Sequence, residues 1–242
     1  MTDSRLQLRR ADDRARTRTD GLDSRHCFSF GRHYDPADTH HGLLLAHNDE
    51  VVAPGAGFAS HRHRDLEIVT WVVHGALTHR DSTGHTGVVR PGLAQRVSAG
   101  SGIVHSEHNA GAGPVRFVQM WVVPDTCGGE PDHEQQELDD ARLREGLVAV
   151  AAGGDRYAGE RAVALRQRDA ALLAARLAPG QAVTLPDAAY VHVFVVVGSV
   201  RLEGAGPLGA GDAVRLTGGG GQRLQAGTAA EVLVWEMHAT LG

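Results

Sequence analysis

Apolar and polar positions along this chain alternate over short distances. Residues 66–73 form a β-branched and aromatic run, a turn at Gly75 follows, and residues 76–80 resume the extended pattern. Asp81-Ser82-Thr83-Gly84 and Arg90-Pro91-Gly92 read as turns on either side of Val88 and Val89. Residues 103–105 and 115–123 supply two more strands. Short strands at such regular spacing predict an antiparallel sandwich or small barrel, not βαβ units. The polar, acidic stretch 126–145 reads as a connector that ends in a short helix over 137–145. Strand texture returns near residue 163 and includes the nearly continuous run 191–197, then 200–202 and 232–235. Residues 170–177 are rich in helix-favouring Ala and Leu, yet Pro179-Gly180 ends the segment and its neighbours are strand-like, so a strand is expected there. The second half thus repeats the architecture of the first.

Composition narrows the chemistry. The chain has 242 residues, with 24 basic and 29 acidic side chains and a formal charge of −5. Every basic residue is arginine, which removes Schiff-base and Walker-type lysine chemistry. A mildly acidic balance without a basic run argues against nucleic acid as a partner. Cys27 and Cys127 are too few and too far apart for a disulfide framework or a Cys-x-x-Cys knot, which suits a reducing cytoplasm. No apolar stretch approaches the roughly 18 residues of a bilayer span. Asp3, Asp12, Asp13 and Asp20 interrupt the arginine-rich start, so a signal peptide is not expected. The expectation is a cytoplasmic monomer without a membrane partner.

Histidine is the outlier, with 15 in the chain, all but His192 and His238 lying before residue 134. One His-x-His pair carries little weight, because about one is expected by chance at this frequency. The setting adds to it. His61 and His63 are two apart, as are His105 and Glu107, and residues i and i+2 of a strand share a face. Two such pairs on neighbouring strands can bring three imidazoles and a carboxylate into one interior volume, a shell suited to Fe, Mn, Ni, Cu or Zn. The competing reading makes these histidines exposed hairpin residues. Gly204-Ala205-Gly206-Pro207-Leu208-Gly209 fits G-x-G-x-x-G, but no helix pattern follows, and a hairpin turn is expected. Cys27 is expected to be packed, not nucleophilic.

Gly55, His61-Arg62-His63-Arg64-Asp65-Leu66-Glu67 and Gly75 resemble the first cupin motif; Pro91-Gly92 with His105 and Asn109 resembles the second. More narrowly, His79-Arg80-Asp81-Ser82, Ser98-Ala99-Gly100, Gly102 to Glu107 and Gln119-Met120-Trp121-Val122 look like the pirin family. His26-Cys27-Phe28-Ser29-Phe30 with Tyr34-Asp35-Pro36 looks like the opening of its bacterial, quercetin 2,3-dioxygenase-like branch. The likeness covers residues 5–140 through these motifs and the remainder through architecture. It implies an all-β chain of two jelly-roll-like cupin barrels with few short helices. A metal-binding barrel would span 1–136, and a degenerate, metal-free one 137–242.

The resemblance also implies one divalent transition ion held by His61, His63, His105 and Glu107, with Fe(II) first and Mn, Ni, Cu, Co or Zn as alternatives. Glu67 is the competing carboxylate, used by many other cupins. Arg62 stands where the family often has proline, and His108 should point to a rim. The implied activity is cleavage of flavonols such as quercetin with O2, a small aromatic substrate whose hydroxyl proton Glu107 would accept as the catalytic residue. Val69, Trp71 and Met120 are expected to line the cavity. The alternative is a non-enzymatic, metal-containing redox sensor that binds a protein partner, as eukaryotic pirins do in transcription.

Overall fold

The computed structural model describes residues 5–241 and is built almost wholly from strands. Those up to the middle of the chain are β1 (Arg5–Arg9), β2 (Ala15–Arg18), β3 (Leu22–His26), β4 (Leu44–Val52), β5 (Gly57–His63) and β6 (Glu67–His74). Then come β7 (Leu77–Asp81), β8 (Thr86–Val89), β9 (Leu93–Ser98), β10 (Ile103–His108), β11 (Val115–Val122) and β12 (Asp132–Glu137). After the helix α1 (Asp140–Glu145), the chain forms β13 (Val148–Ala152), β14 (Val163–Ala164), β15 (Ala170–Leu177), β16 (Ala182–Thr184) and β17 (Ala188–Val197). It finishes with β18 (Ser199–Leu202), β19 (Gly206–Gly209), β20 (Ala213–Gly219), β21 (Arg223–Ala226) and β22 (Ala230–Met237).

Two jelly-roll-like barrels result, each a seven-stranded sheet facing a four-stranded one. In the first, β12-β9-β6-β11-β4-β3-β2 faces β5-β10-β7-β8. In the second, β1-β20-β17-β22-β15-β13-β14 faces β16-β21-β18-β19. The N-terminal strand β1 joins the second barrel, where Arg5 pairs with Thr217 and Arg9 with Ala213. Among the described residues, no helix is long and apolar enough to cross a membrane.

The seven-stranded sheets pack against each other, so their central strands are buried on both faces. That explains β15: alternate residues Leu172 and Ala174 face the first barrel while Leu173 and Ala175 face the second barrel's interior. A strand covered on both sides has no polar face to show, and an Ala/Leu run satisfies it as well as valine. The same double burial places Val69, Trp71 and Met120 in the core between the barrels, beside Leu172, Leu233 and Trp235. The expectation that these three line the metal cavity is therefore corrected. Alternation fixes that they share a face, not which volume that face meets.

The connector expectation is corrected in part. The helix forms within the expected stretch, but residues 132–137 add strand β12 to the edge of β9. No apolar alternation marks it, because both of its faces make polar contacts: Arg96 holds Asp132 at 2.8 Å and Glu134 at 2.9 Å, and the buried Gln95 Oε1 accepts from His133 Nε2 and Gln135 Nε2, each at 3.0 Å.

Two tight corners aim the strands that matter. Gly75 has φ 80°, and a Cβ there would lie 2.9 Å from the Pro114 carbonyl oxygen, so the β6–β7 turn requires glycine. Asp65 takes a left-handed φ of 51° two residues after the end of β5, and its carboxylate accepts the Gly128 N–H at 2.6 Å. An aspartate tolerates that conformation better than most residues do.

Candidate metal centre

Strands β5 and β10 pair antiparallel, with His105 opposite His61 and Ile103 opposite His63. Along each strand burial alternates. His63 is buried while Arg62 is exposed, and His105 and Glu107 are buried while His108 is exposed. The i, i+2 geometry thus sends the expected side chains inward and leaves Arg62 and His108 outside.

The inward groups form two overlapping triads. The donor atoms of His61, His63 and His105 lie within 4.8 Å of one another, as do those of His79, His105 and Glu107. His105 belongs to both. Glu107 therefore meets the site through His105 and does not fall within the first triad itself. Glu67 lies in neither: its carboxylate accepts from Ser98 Oγ (2.8 Å) and the Arg166 backbone N–H (3.1 Å), at the junction of the barrels.

Hydrogen bonds set the orientation of the rings. His61 Nδ1 donates to the Ala59 carbonyl at 2.7 Å, which leaves Nε2 as the lone-pair atom. That Nε2 lies 3.1 Å from His105 Nε2. Two nitrogens about 2.1 Å from one ion at a right angle would sit ~3.0 Å apart, so this spacing suits a shared cation. His63 Nε2 is buried without a hydrogen-bond partner. Burial lowers His63 to about 4 and His105 to about 3, so both rings are neutral donors. An orphaned buried nitrogen beside a close nitrogen pair fits a transition ion held by nitrogen and oxygen.

The carboxylate is supported from another strand. Gln119 on β11 donates from Nε2 to Glu107 Oε1 (3.0 Å) and Oε2 (2.8 Å), while its Oε1 accepts from Trp121 Nε1 at 3.1 Å. An indole N–H can only donate, so Trp121 fixes which end of the Gln119 amide faces Glu107. Burial pushes Glu107 up to about 7, against the lowering effect of Gln119. Behind His105, His79 donates Nε2–H to Asp81 at 3.0 Å and keeps an unpartnered Nδ1.

A cavity of about 390 Å³ opens onto His61, His63 and Glu107, lined by Phe30, Phe58 and Trp121 and by Asn48, Glu50 and Gln119. Phe30 packs on Trp121 at 5.2 Å between ring centroids. Glu50 is buried, accepts from Ser24 Oγ and is pushed up to about 8 by burial, so it is a neutral acid at pH 7. Sequence reasoning gave no role to His79, Gln119, Glu50, Phe30 or Phe58. Phe30, His79 and Gln119 lie inside the family-like motifs, but nothing in one strand's pattern says which partner the next strand will present.

Fold and site together define a two-barrel cupin with an imidazole-rich cradle in its first barrel. Residues 9–122 match the Pirin family model, and residues 156–237 match the quercetinase C-terminal cupin domain. The chain belongs to the pirin family. A Mycobacterium tuberculosis protein provisionally named quercetin 2,3-dioxygenase is 55% identical over 238 residues, covering 98% of this chain and 97% of its own length. The quercetin 2,3-dioxygenase of Escherichia coli K12 is 39% identical over 135 residues, or 55% of this chain and 58% of the relative. Among solved structures, the bacterial pirin YhhW of Escherichia coli in complex with nickel(II) superimposes with a TM-score of 0.87 at 28% identity, covering 98% of this chain and 100% of that one.

Proposed function

We propose that this chain is a metal-dependent dioxygenase that cleaves flavonols of the quercetin type with O2. The observation that carries the reading is the 3.1 Å approach of His61 and His105 Nε2 atoms beside the unpartnered His63 Nε2, at the wall of an aromatic cavity. His61, His63 and His105 would hold the ion, with Glu107 as fourth ligand and Fe(II) as the first candidate. The bound ion would supply Lewis acidity toward the substrate's deprotonated hydroxyl and redox coupling to O2.

The chain's own residues do the rest. Phe30, Phe58 and Trp121 give a planar substrate apolar walls and exclude water around it. Glu107 accepts the flavonol hydroxyl proton at a carboxylate oxygen, and Gln119 keeps that oxygen from swinging away. Neutral Glu50 and the Asn48 amide line the same cavity and offer donors to the substrate's remaining oxygens. About 390 Å³ lies within the usual range for a drug-sized ligand.

The test is oxygen uptake on addition of quercetin to protein loaded separately with iron, nickel, manganese or copper. Uptake that disappears in His105→Ala supports the reading. No uptake with any of these metals overturns it.

A further inference from the structure

A second donor group lies where the barrels meet, outside the cavity described above. Cys27, His47 and His192 are 3%, 0% and 0% exposed, and each offers a donor atom within 4.8 Å of the others. Topology brings them together. Cys27 follows β3, and its N–H donates to the His47 carbonyl on β4 at 3.0 Å. His47 stands opposite Met120 in the β4–β11 pairing and so shares the face turned to the second barrel. His192 comes from β17 on the other side, opposite Trp235.

The polar atoms here are not accounted for by the fold. All four ring nitrogens of His47 and His192 are buried without a hydrogen-bond partner. Buried polar groups are nearly always paired, and two adjacent imidazoles with none paired point to a missing ligand. The rings are held in place by packing: His47 lies 4.8 Å from His192 and 4.4 Å from Phe194, centroid to centroid. Burial drives both histidines well below their ordinary value, so their lone pairs are free to coordinate.

Charge decides which ion fits. Arg14 Nη1 lies 3.7 Å from Cys27 Sγ, and Arg215 donates to the Cys27 carbonyl. Arg14 is matched by Asp49 and Arg215 by Asp38, so a divalent ion on one thiolate would leave net charge in a dry site that is otherwise balanced. A monovalent ion bound to one thiolate adds none. One sulfur and two imidazoles in a three-coordinate arrangement also suit a soft ion. We propose that Cys27, His47 and His192 form a copper(I) site that staples the two barrels together. Donors around a three-coordinate ion sit about 3.5–3.7 Å apart, so the side chains close by no more than ~1.3 Å. Binding replaces the Cys27 S–H bond with a sulfur–copper bond and releases one proton to solvent. A cavity of about 290 Å³ that reaches Cys27 between Arg14 and His26 gives the ion a route inward. The site is separate from the flavonol reading and stands or falls without it.

The test is an anaerobic titration of the whole chain with copper(I) against a chromophoric copper(I) chelator. Wild type and His105→Ala should each hold one tight equivalent, and Cys27→Ser and His192→Gln should each lose it while keeping the wild-type circular dichroism spectrum. X-ray absorption at the copper edge of the wild-type protein, which needs no variant, should show one sulfur and two nitrogen neighbours. Equal copper uptake by wild type and Cys27→Ser, or a spectrum without sulfur, overturns the proposal. Zinc(II) held as tightly by the same residues overturns the monovalent assignment.

Discussion

Gln119 donates from a single nitrogen to both carboxylate oxygens of Glu107, at 3.0 and 2.8 Å, with its own orientation set by Trp121. This bond stabilises the ionised carboxylate and opposes the rise that burial imposes on Glu107. Gln119→Leu should therefore raise Glu107 further above about 7. A pH–rate profile of oxygen uptake should show the acid limb moved to higher pH, with metal affinity or turnover reduced about 10–100-fold. An acid limb left in place would show that Gln119 does not govern the base.

Buried acids and buried histidines pull the pH response of the metal-stripped protein in opposite directions. Burial pushes Glu107 to about 7 and Glu50 to about 8. The folded state favours their neutral forms, so the stability they contribute is full below an unfolded pKa of ~4.3 and is lost as pH rises through the folded values. His63 and His105, lowered to about 4 and about 3, act the other way. Their stability is full above an unfolded pKa of ~6.5 and is lost as pH falls toward the folded values. His41 and His133, also lowered to about 4, and His47 and His192, lowered well below their ordinary value, add to the histidine side below pH ~6.5, and above it the carboxyls dominate. Urea unfolding of chelator-treated protein should show a loss of about 2–3 kcal/mol from pH 6.5 to 8. Glu50→Gln should remove more than half of it. A stability that climbs over this interval would contradict the burial of the two acids.

The barrels are tied by a polar contact within an apolar seam. Trp71 Nε1 on β6 donates to Glu231 Oε1 on β22 at 2.7 Å, and Arg176 Nε donates to the other oxygen at 2.6 Å. Trp71→Phe would leave that oxygen short of a partner and open space between the sheets. We expect a destabilisation of about 2–4 kcal/mol in urea, with metal content unchanged. A loss under about 0.5 kcal/mol, or a loss of metal, would contradict this division between seam and site.

Much of this was readable from residue order alone. The two-residue period put His61 with His63 and His105 with Glu107 on shared strand faces, and the resemblance to pirin motifs singled these four out from the other histidines and acids. The strand at 170–177 was readable despite its helix-favouring composition, because Pro179-Gly180 and its neighbours excluded a helix. Other features depend on contacts that no single segment records. The edge strand β12 is held by Arg96 from the neighbouring strand. Val69, Trp71 and Met120 turn toward the second barrel because a whole sheet packs there. His79, Glu50 and Gln119 reach the site from three further strands, and Cys27, His47 and His192 meet only once both barrels are folded and docked.

Metal content tests the central claim most directly. Elemental analysis of protein purified without added metal should find, besides any copper held at Cys27, close to one transition ion per chain with nitrogen and oxygen neighbours. His105→Ala, which removes the residue common to both triads, should retain less than about one-tenth of it. Equal metal in wild type and His105→Ala, with both folded, would contradict the assignment of these histidines as the cradle.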